Sequence, residues 1–157
     1  MKITKEITIH TRKVSELSKT ERLGYDAAVD ACNKAYAPYS GFSVGSALLL
    51  SDGDVIQGNN QENAAYPSGL CAERVALFHV KATKPESIIT DAFIVTQSFS
   101  EAKQDFAPPC GACLQVFWDI QERQSEPIRV HVRGQRDNEI IFSADNIDQL
   151  LPFGFRL

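Results

Sequence analysis

Residues 58–74 read Gly58-Asn59-Asn60-Gln61-Glu62-Asn63-Ala64-Ala65-Tyr66-Pro67-Ser68-Gly69-Leu70-Cys71-Ala72-Glu73-Arg74. The first half is too dense in side-chain amides to be core, and Pro67-Ser68-Gly69 breaks the chain. Cys71 then opens a helix with Val75, Ala76, Leu77 and Val80 on its apolar face, ending before Pro85. Further along, Pro109-Cys110-Gly111-Ala112-Cys113 opens another helix, carrying Leu114, Val116, Phe117, Trp118 and Ile120. A polar loop that runs into a cysteine at a helix start, twice over, sets the plan of the chain.

Working outward from that stretch, Ser18-Lys19-Thr20-Glu21 has the form of a capping box. Leu23, Ala27, Ala28, Ala31, Cys32 and Ala35 follow at helical spacing, predicting a helix to about Tyr36, because Pro38 disfavours continuation. Residues 37–41 are a turn, and residues 42–50 read as a strand that becomes buried on both faces. Asp52-Gly53 signals a hairpin into Val55-Ile56, so the first two strands pair antiparallel. Ile88-Ile89 with Ala92 to Val95 form a third strand, and a polar loop covers 97–109. Residues 128–132 and 139–142 are the fourth and fifth strands, and a short helix spans about 144–151. The apolar tail Phe153-Gly154-Phe155-Arg156-Leu157 follows Pro152, and Ile7 and Ile9 permit a short edge strand near the start. The order α-β-β-α-β-α-β-β-α predicts an α/β fold in three α/β/α layers, with a mixed five-stranded sheet and helices on both faces. One domain over residues 1–157 is expected.

A charged fraction of 23% and a hydrophobic fraction of 43% are ordinary for a globular chain. No apolar run approaches the roughly 20 residues of a membrane span. Residues 1–6 lack the apolar core of an export signal, so the expected compartment is the cytoplasm. The net charge of −4, the pI near 5.4 and the lack of a Lys/Arg stripe argue against long nucleic acid as a partner. They favour a small neutral or weakly charged substrate.

Four cysteines in such a chain are better read as metal or catalytic groups than as a disulfide framework. Cys32 sits within a helical pattern and is read as core. His10, His79 and His131 are scattered, and none is assigned to a metal. Cys71, Cys110 and Cys113 lie at helix starts, where roughly half a unit of positive charge and free amides lower thiol pKa values. Three thiolates suit Zn²⁺ with a fourth position open to water. Arg74, three residues beyond Cys71 on the same helical face, is placed to donate to the ligand sulfurs. Glu73 stays in the same first turn but points elsewhere, within reach of the reacting atoms without ligating. A redox pair or a purely structural zinc staple are the other readings of the cysteines.

The chain resembles the homotetrameric cytidine deaminase family over most of its length. Residues 39–45 (Tyr-Ser-Gly-Phe-Ser-Val-Gly), 58–66, Cys71-Ala72-Glu73-Arg74 and Pro109-Cys110-Gly111-Ala112-Cys113 carry the resemblance. It implies a cytidine deaminase-like fold, Zn²⁺ on Cys71, Cys110 and Cys113, and Glu73 as the proton shuttle in converting cytidine or deoxycytidine to its uridine counterpart plus ammonia. It further implies that Asn60 and Glu62 hold the ribose hydroxyls, that Phe42 packs against the base, and that the Ala72 backbone bonds the pyrimidine. The implied substrate is a small nucleoside and the implied assembly a homotetramer, in which Phe153 or Phe155 reaches a neighbouring site. Leu114 stands where the family commonly has arginine, and Pro108-Pro109 where it commonly has Ser-Pro. Alternatives kept open are a deaminase of another aminopyrimidine nucleoside, such as a nucleoside antibiotic, a non-catalytic zinc module, and a nucleic-acid editor.

Overall fold

In the computed structural model, which describes residues 1–98 and 105–157, successive strand residues face opposite layers of helix. The elements are β1 (His10–Lys13), α1 (Lys19–Asn33), β2 (Phe42–Leu50), β3 (Val55–Asn59), α2 (Ala72–Thr83), β4 (Ile89–Ser98), α3 (Gly111–Gln124), β5 (Arg129–Arg133) and β6 (Ile140–Ala144). They build one mixed sheet in the order β1-β6-β5-β4-β2-β3, with β4 and β5 parallel and every other pair antiparallel. Ala47, Leu49, Phe93 and Val95 point to α1, packing with Tyr25, Ala28 and Cys32. Leu48, Leu50, Ala92, Ile94 and Val130 point the other way, onto Ala76, Leu77 and Val80 of α2 and Phe117 and Ile120 of α3. The period-two alternation of a strand thus sorts the core into two layers.

The three layers and the mixed sheet are as expected, but the sheet has six strands rather than five. The extra strand, β1, lies at His10–Lys13 and not at Ile7 and Ile9, and it pairs with β6. Its residues are His-Thr-Arg-Lys, a charged edge strand with no hydrophobic alternation to reveal it. The capping box at Ser18 forms: the Glu21 amide donates to Ser18 Oγ (3.3 Å), and Glu21 Oε2 accepts from the Ser18 amide (2.8 Å). Helix α1 ends at Asn33, short of Tyr36, because Tyr36 leaves to bridge the polar loop: its amide donates to Asn60 O, and its carbonyl accepts from the Glu62 amide. Leu23, read as part of the apolar stripe, is 57% exposed; the true stripe runs through Gly24, Ala28 and Cys32. The helix expected over 144–151 is a single 3-10 turn, Ile147–Gln149, since Ala144 is still paired in β6 with Val130. The polar loop expected over 97–109 falls partly outside the described residues, and β4 continues through Ser98.

Two glycines let helices sit close on the sheet. A Cβ on Gly45 would lie 2.1 Å from Ala28 O, and one on Gly58 2.5 Å from Ala72 O and 2.6 Å from Ala76 N. Gly58 therefore seats the first turn of α2, and with it Cys71 and Glu73, against β3. Among the described residues, no helix is long and apolar enough to cross a membrane.

Candidate active site

Cys71 is the N-cap of α2 and Cys110 the N-cap of α3, with Cys113 one turn into α3. The N-termini of two helices on the same face of the sheet are thereby aimed at one point. The three sulfurs all lie within 4.8 Å of one another, and Cys110 Sγ and Cys113 Sγ are 3.5 Å apart. Cys113 is buried, Cys71 half-buried and Cys110 exposed. Hydrogen bonding to Cys113 pulls the Cys71 thiol down to about 5; burial opposes this and Arg74 assists it. The same bond pushes Cys113 up, with burial and the neighbouring negative charges adding to the rise. The two shifts describe one shared proton: negative charge collects first on Cys71, and a second thiolate so close is costly without a cation. A soft divalent cation relieves that repulsion, and three thiolates in a compact triangle are the donor set that zinc prefers.

Arg74 Nη2 donates to Cys71 Sγ at 3.6 Å, while its Nε is buried without a hydrogen-bond partner. The guanidinium thus offsets part of the negative charge of the sulfurs.

A cavity of about 300 Å³ is walled by Cys71 and Cys110 on one side, Phe42 and Val44 of β2, Ile94 and Thr96 of β4, and Pro108. Glu73 lines it although only 5% exposed. Burial pushes the Glu73 carboxyl up to about 7; its own backbone amide opposes the rise and the Cys71 charge adds to it. Ala72 is wholly buried at the first position of α2, where amides have no intrahelical partner.

A second cavity, of about 460 Å³, adjoins the first, shares Ser40, Asn60, Glu62 and Cys71 with it, and opens between Tyr39 and Tyr66. Those two rings pack edge to face with centroids 5.9 Å apart. Of the two cavities, only the smaller contains Glu73 and Cys110. Asn60 Oδ1 accepts from the Val44 amide (2.8 Å), and its Nδ2 donates to Phe42 O (2.9 Å). One amide hydrogen of Asn60 is left over. Glu62 Oε2 accepts from the amides of Tyr39 (2.9 Å) and Ser40 (3.2 Å), and its Oε1 accepts from Ser40 Oγ. The Ser40 hydroxyl in particular holds the Glu62 carboxyl below its ordinary range.

Phe42, Asn60, Glu62, Cys71, Glu73, Arg74 and Cys110 line this pair of cavities, Cys113 joins them through the sulfur cluster, and Ala72 lies between Cys71 and Glu73 in the chain, whereas Phe155 lines a separate groove and Phe153 neither cavity. Three more were not foreseen. Ser40, read as part of a turn and of the segment 39–45 but given no role of its own, fixes Glu62. Thr96 lines the smaller cavity from a strand end that nothing local marks, and Pro108, noted only where the family commonly has Ser-Pro, lines it from a loop. Leu114 is buried in α3, so its place is with the core.

A three-layer α/β/α chain with a three-cysteine zinc centre and a buried carboxyl beside it defines a zinc-dependent hydrolase. The family model for the cytidine and deoxycytidylate deaminase zinc-binding region matches residues 18–125, and the chain belongs to this family. It is 43% identical over 128 residues to the cytidine deaminase of Halalkalibacterium halodurans, covering 82% of this chain and 88% of the relative. Over 124 residues it is 33% identical to that of Mycobacterium tuberculosis, covering 78% and 87%. The crystal structure of cytidine deaminase from Burkholderia pseudomallei superposes with a TM-score of 0.67 at 33% identity, over 85% of this chain and 98% of that one.

Proposed function

We propose that this chain catalyses hydrolytic deamination of cytidine and deoxycytidine to uridine and deoxyuridine, releasing ammonia. One observation carries the reading: a buried carboxyl, Glu73, shares a nucleobase-sized cavity with two of the three clustered thiols. Zinc held by Cys71, Cys110 and Cys113 supplies Lewis-acid activation of water when bound. Glu73 takes the proton that the attacking water gives up and delivers it to pyrimidine N3 as the new C–O bond forms at C4. It then carries the hydroxyl proton at C4 to the amino group, so that the C4–N bond breaks with ammonia as the leaving group. The Ala72 amide and the Phe42 ring orient the base, and Asn60 and Glu62 orient the sugar. Glu62 is well suited to accept from hydroxyls, because Ser40 and the Tyr39 amide already fix its direction.

A purely structural zinc staple has no use for an acid buried in a cavity at the metal, and a nucleic-acid editor is disfavoured by the net charge of −4. The enzyme is read as cytoplasmic and homotetrameric, one domain per subunit. Support for assembly comes from Phe78, Phe153 and Phe155, which stand exposed around a groove on the α2–α3 face or on the tail beside it.

The test is Glu73→Gln with zinc content and cytidine-to-uridine absorbance change measured on one sample. Zinc is expected to stay stoichiometric while turnover falls by about 10²- to 10⁴-fold. Full turnover in that variant would overturn the mechanism. Ammonia release compared across cytidine, deoxycytidine and blasticidin separates nucleoside salvage from turnover of a nucleoside antibiotic.

A further inference from the structure

Where β2 begins and β4 ends, consecutive residues face opposite sides of the sheet: Phe42 lines the catalytic cavity, and Ser43 lines a different one. This second space holds about 350 Å³ and is bounded by Ser43, Gln97, Ser98, Arg133, Gln135 and Asn138. Ser43 and Gln97 are direct partners across β2 and β4. Thr96 borders both cavities, so the two sites stand back to back. Among the described residues, the wall consists of hydroxyls, amides and one guanidinium, with no carboxylate.

Arg133 shares with Arg74 a buried Nε without a partner and, among the described residues, the lack of a carboxylate ion pair. One guanidinium donor, Nη2, bonds Thr96 O at 2.8 Å, and Nε is buried with no partner. Among the described residues it makes no ion pair, whereas Arg12, Arg22, Arg123, Arg129, Arg136 and Arg156 each do. The acids on the neighbouring turn are committed elsewhere: Asp105 faces Arg136 at 3.5 Å, and Asp137 Oδ1 accepts from the Glu139 amide at 2.9 Å. Burial has removed water from one side of this cation, and no described residue supplies a counter-charge, which is costly unless an anion completes the site. The planar fork of arginine matches tetrahedral oxyanions, and hydroxyls and amides beside it supply further donors. At about 30 Å³ per water, the space exceeds a lone oxyanion and leaves room for a pentose-sized group.

We propose that the cavity between Ser43, Gln97, Arg133 and Asn138 is a binding site for the phosphate group of a small phosphomonoester, separate from the deamination site. Phosphate oxygens bond Arg133 and the Asn138 amide, and the organic part lies along Ser43 and Gln97. The site does not depend on the identity of the deaminated base.

Calorimetric titration of the zinc-loaded full chain with ribose 5-phosphate, and separately with inorganic phosphate, tests the assignment. Saturable binding of ribose 5-phosphate is expected with Kd in or below the low-millimolar range, with inorganic phosphate weaker, and saturating uridine leaves both unchanged. Arg133→Gln is expected to weaken the ester by about tenfold or more. Asn138→Asp, which adds a carboxylate to the wall without touching Arg133, is expected to do the same, and it serves if Arg133→Gln fails to fold by thermal melting. No saturable binding of either probe up to about 10 mM, which is affinity too weak to matter, would overturn the proposal. So would unchanged affinity in the folded variants, displacement by uridine, or binding of inorganic phosphate alone.

Discussion

Arg74 illustrates how a side chain that lines the larger cavity acts on the thiols without being one of the cluster. Its Nη2 reaches Cys71 Sγ at 3.6 Å, so the charge of the thiolate cluster is partly met by protein before any metal is considered. Replacing it with glutamine keeps a polar donor on a shorter side chain and removes the charge. Arg74→Gln is expected to lower zinc affinity by about 10- to 100-fold, read by competition with a chromogenic chelator, while Arg74→Lys recovers part of it. Cys71, Cys110, Cys113, Glu73 and Arg74 were legible as a group because their placement depends on helix position, and local spacing fixes that. Ser40 and Thr96 were not, since each acquires its role from a partner 22 or more positions away, such as Glu62 for Ser40. The buried network of Asp91, His131 and Ser143 was equally hidden. His131 Nδ1 lies 2.8 Å from Ser143 Oγ and its Nε2 3.0 Å from Asp91 Oδ1, which Arg129 also engages at 2.8 Å. These spacings match a hydrolytic triad, but all three residues are buried. With no access for a substrate, the group works as a staple across β4, β5 and β6, stacked under Phe93.

At the scale of elements, the first helix and the extra strand are joined by a single ion pair. Arg12 on β1 donates to Glu21 Oε1 at 2.6 Å, while Glu21 Oε2 caps α1 through the Ser18 amide. Burial alone would raise the Glu21 carboxyl, but the bonds from Arg12 and Ser18 together outweigh it and hold it at about 2 against an ordinary 4.5. The sign follows directly. Above about pH 4.5 the carboxylate is ionised whether the chain is folded or not, and the full stabilisation is present. As pH falls from about 4.5 to about 2, the unfolded chain takes up the proton first, so stability is lost through that window. Glu21→Gln is expected to cost up to about 3 kcal/mol at neutral pH and to flatten the acid limb, checked by urea midpoints between pH 2 and 7. The capping box was readable because its residues are three apart. The strand it anchors was not, because β1 has no apolar face and is defined only by its pairing with β6. The short last turn has a similar cause: β6 keeps Ala144, leaving too few residues for a helix before Pro152.

For the whole molecule, the tail after Pro152 connects fold to assembly. Gly154 lies on the Trp118 indole so closely that a Cβ there would be 2.1 Å from the ring. Gln115 of α3 then grips the next residue at both backbone groups: its Nε2 donates to Phe155 O (3.0 Å), and its Oε1 accepts from the Phe155 amide (2.9 Å). The Phe155 ring is left 67% exposed on a fixed backbone, whereas the Phe153 ring, 69% exposed, has Lys5 Nζ 5.3 Å from its centroid and no hydrogen-bonded clamp among the described residues. An exposed aromatic on a rigid mount loses little entropy on docking and makes an effective contact between copies. Phe155, rather than Phe153, is therefore the residue expected to reach a neighbouring subunit's site in the proposed tetramer. Phe155→Ala is expected to raise KM for cytidine by about tenfold or more with zinc content unchanged, the loss of one buried aromatic contact. Gln115→Ala, which leaves the ring in place but frees its mount, should raise KM by less, and Phe153→Ala should leave it near the parent value. Sedimentation velocity on the same three proteins separates loss of contact within a tetramer from loss of the tetramer itself. If Phe153→Ala alone impaired turnover, the Gln115 clamp would be a fastening for the tail and nothing more.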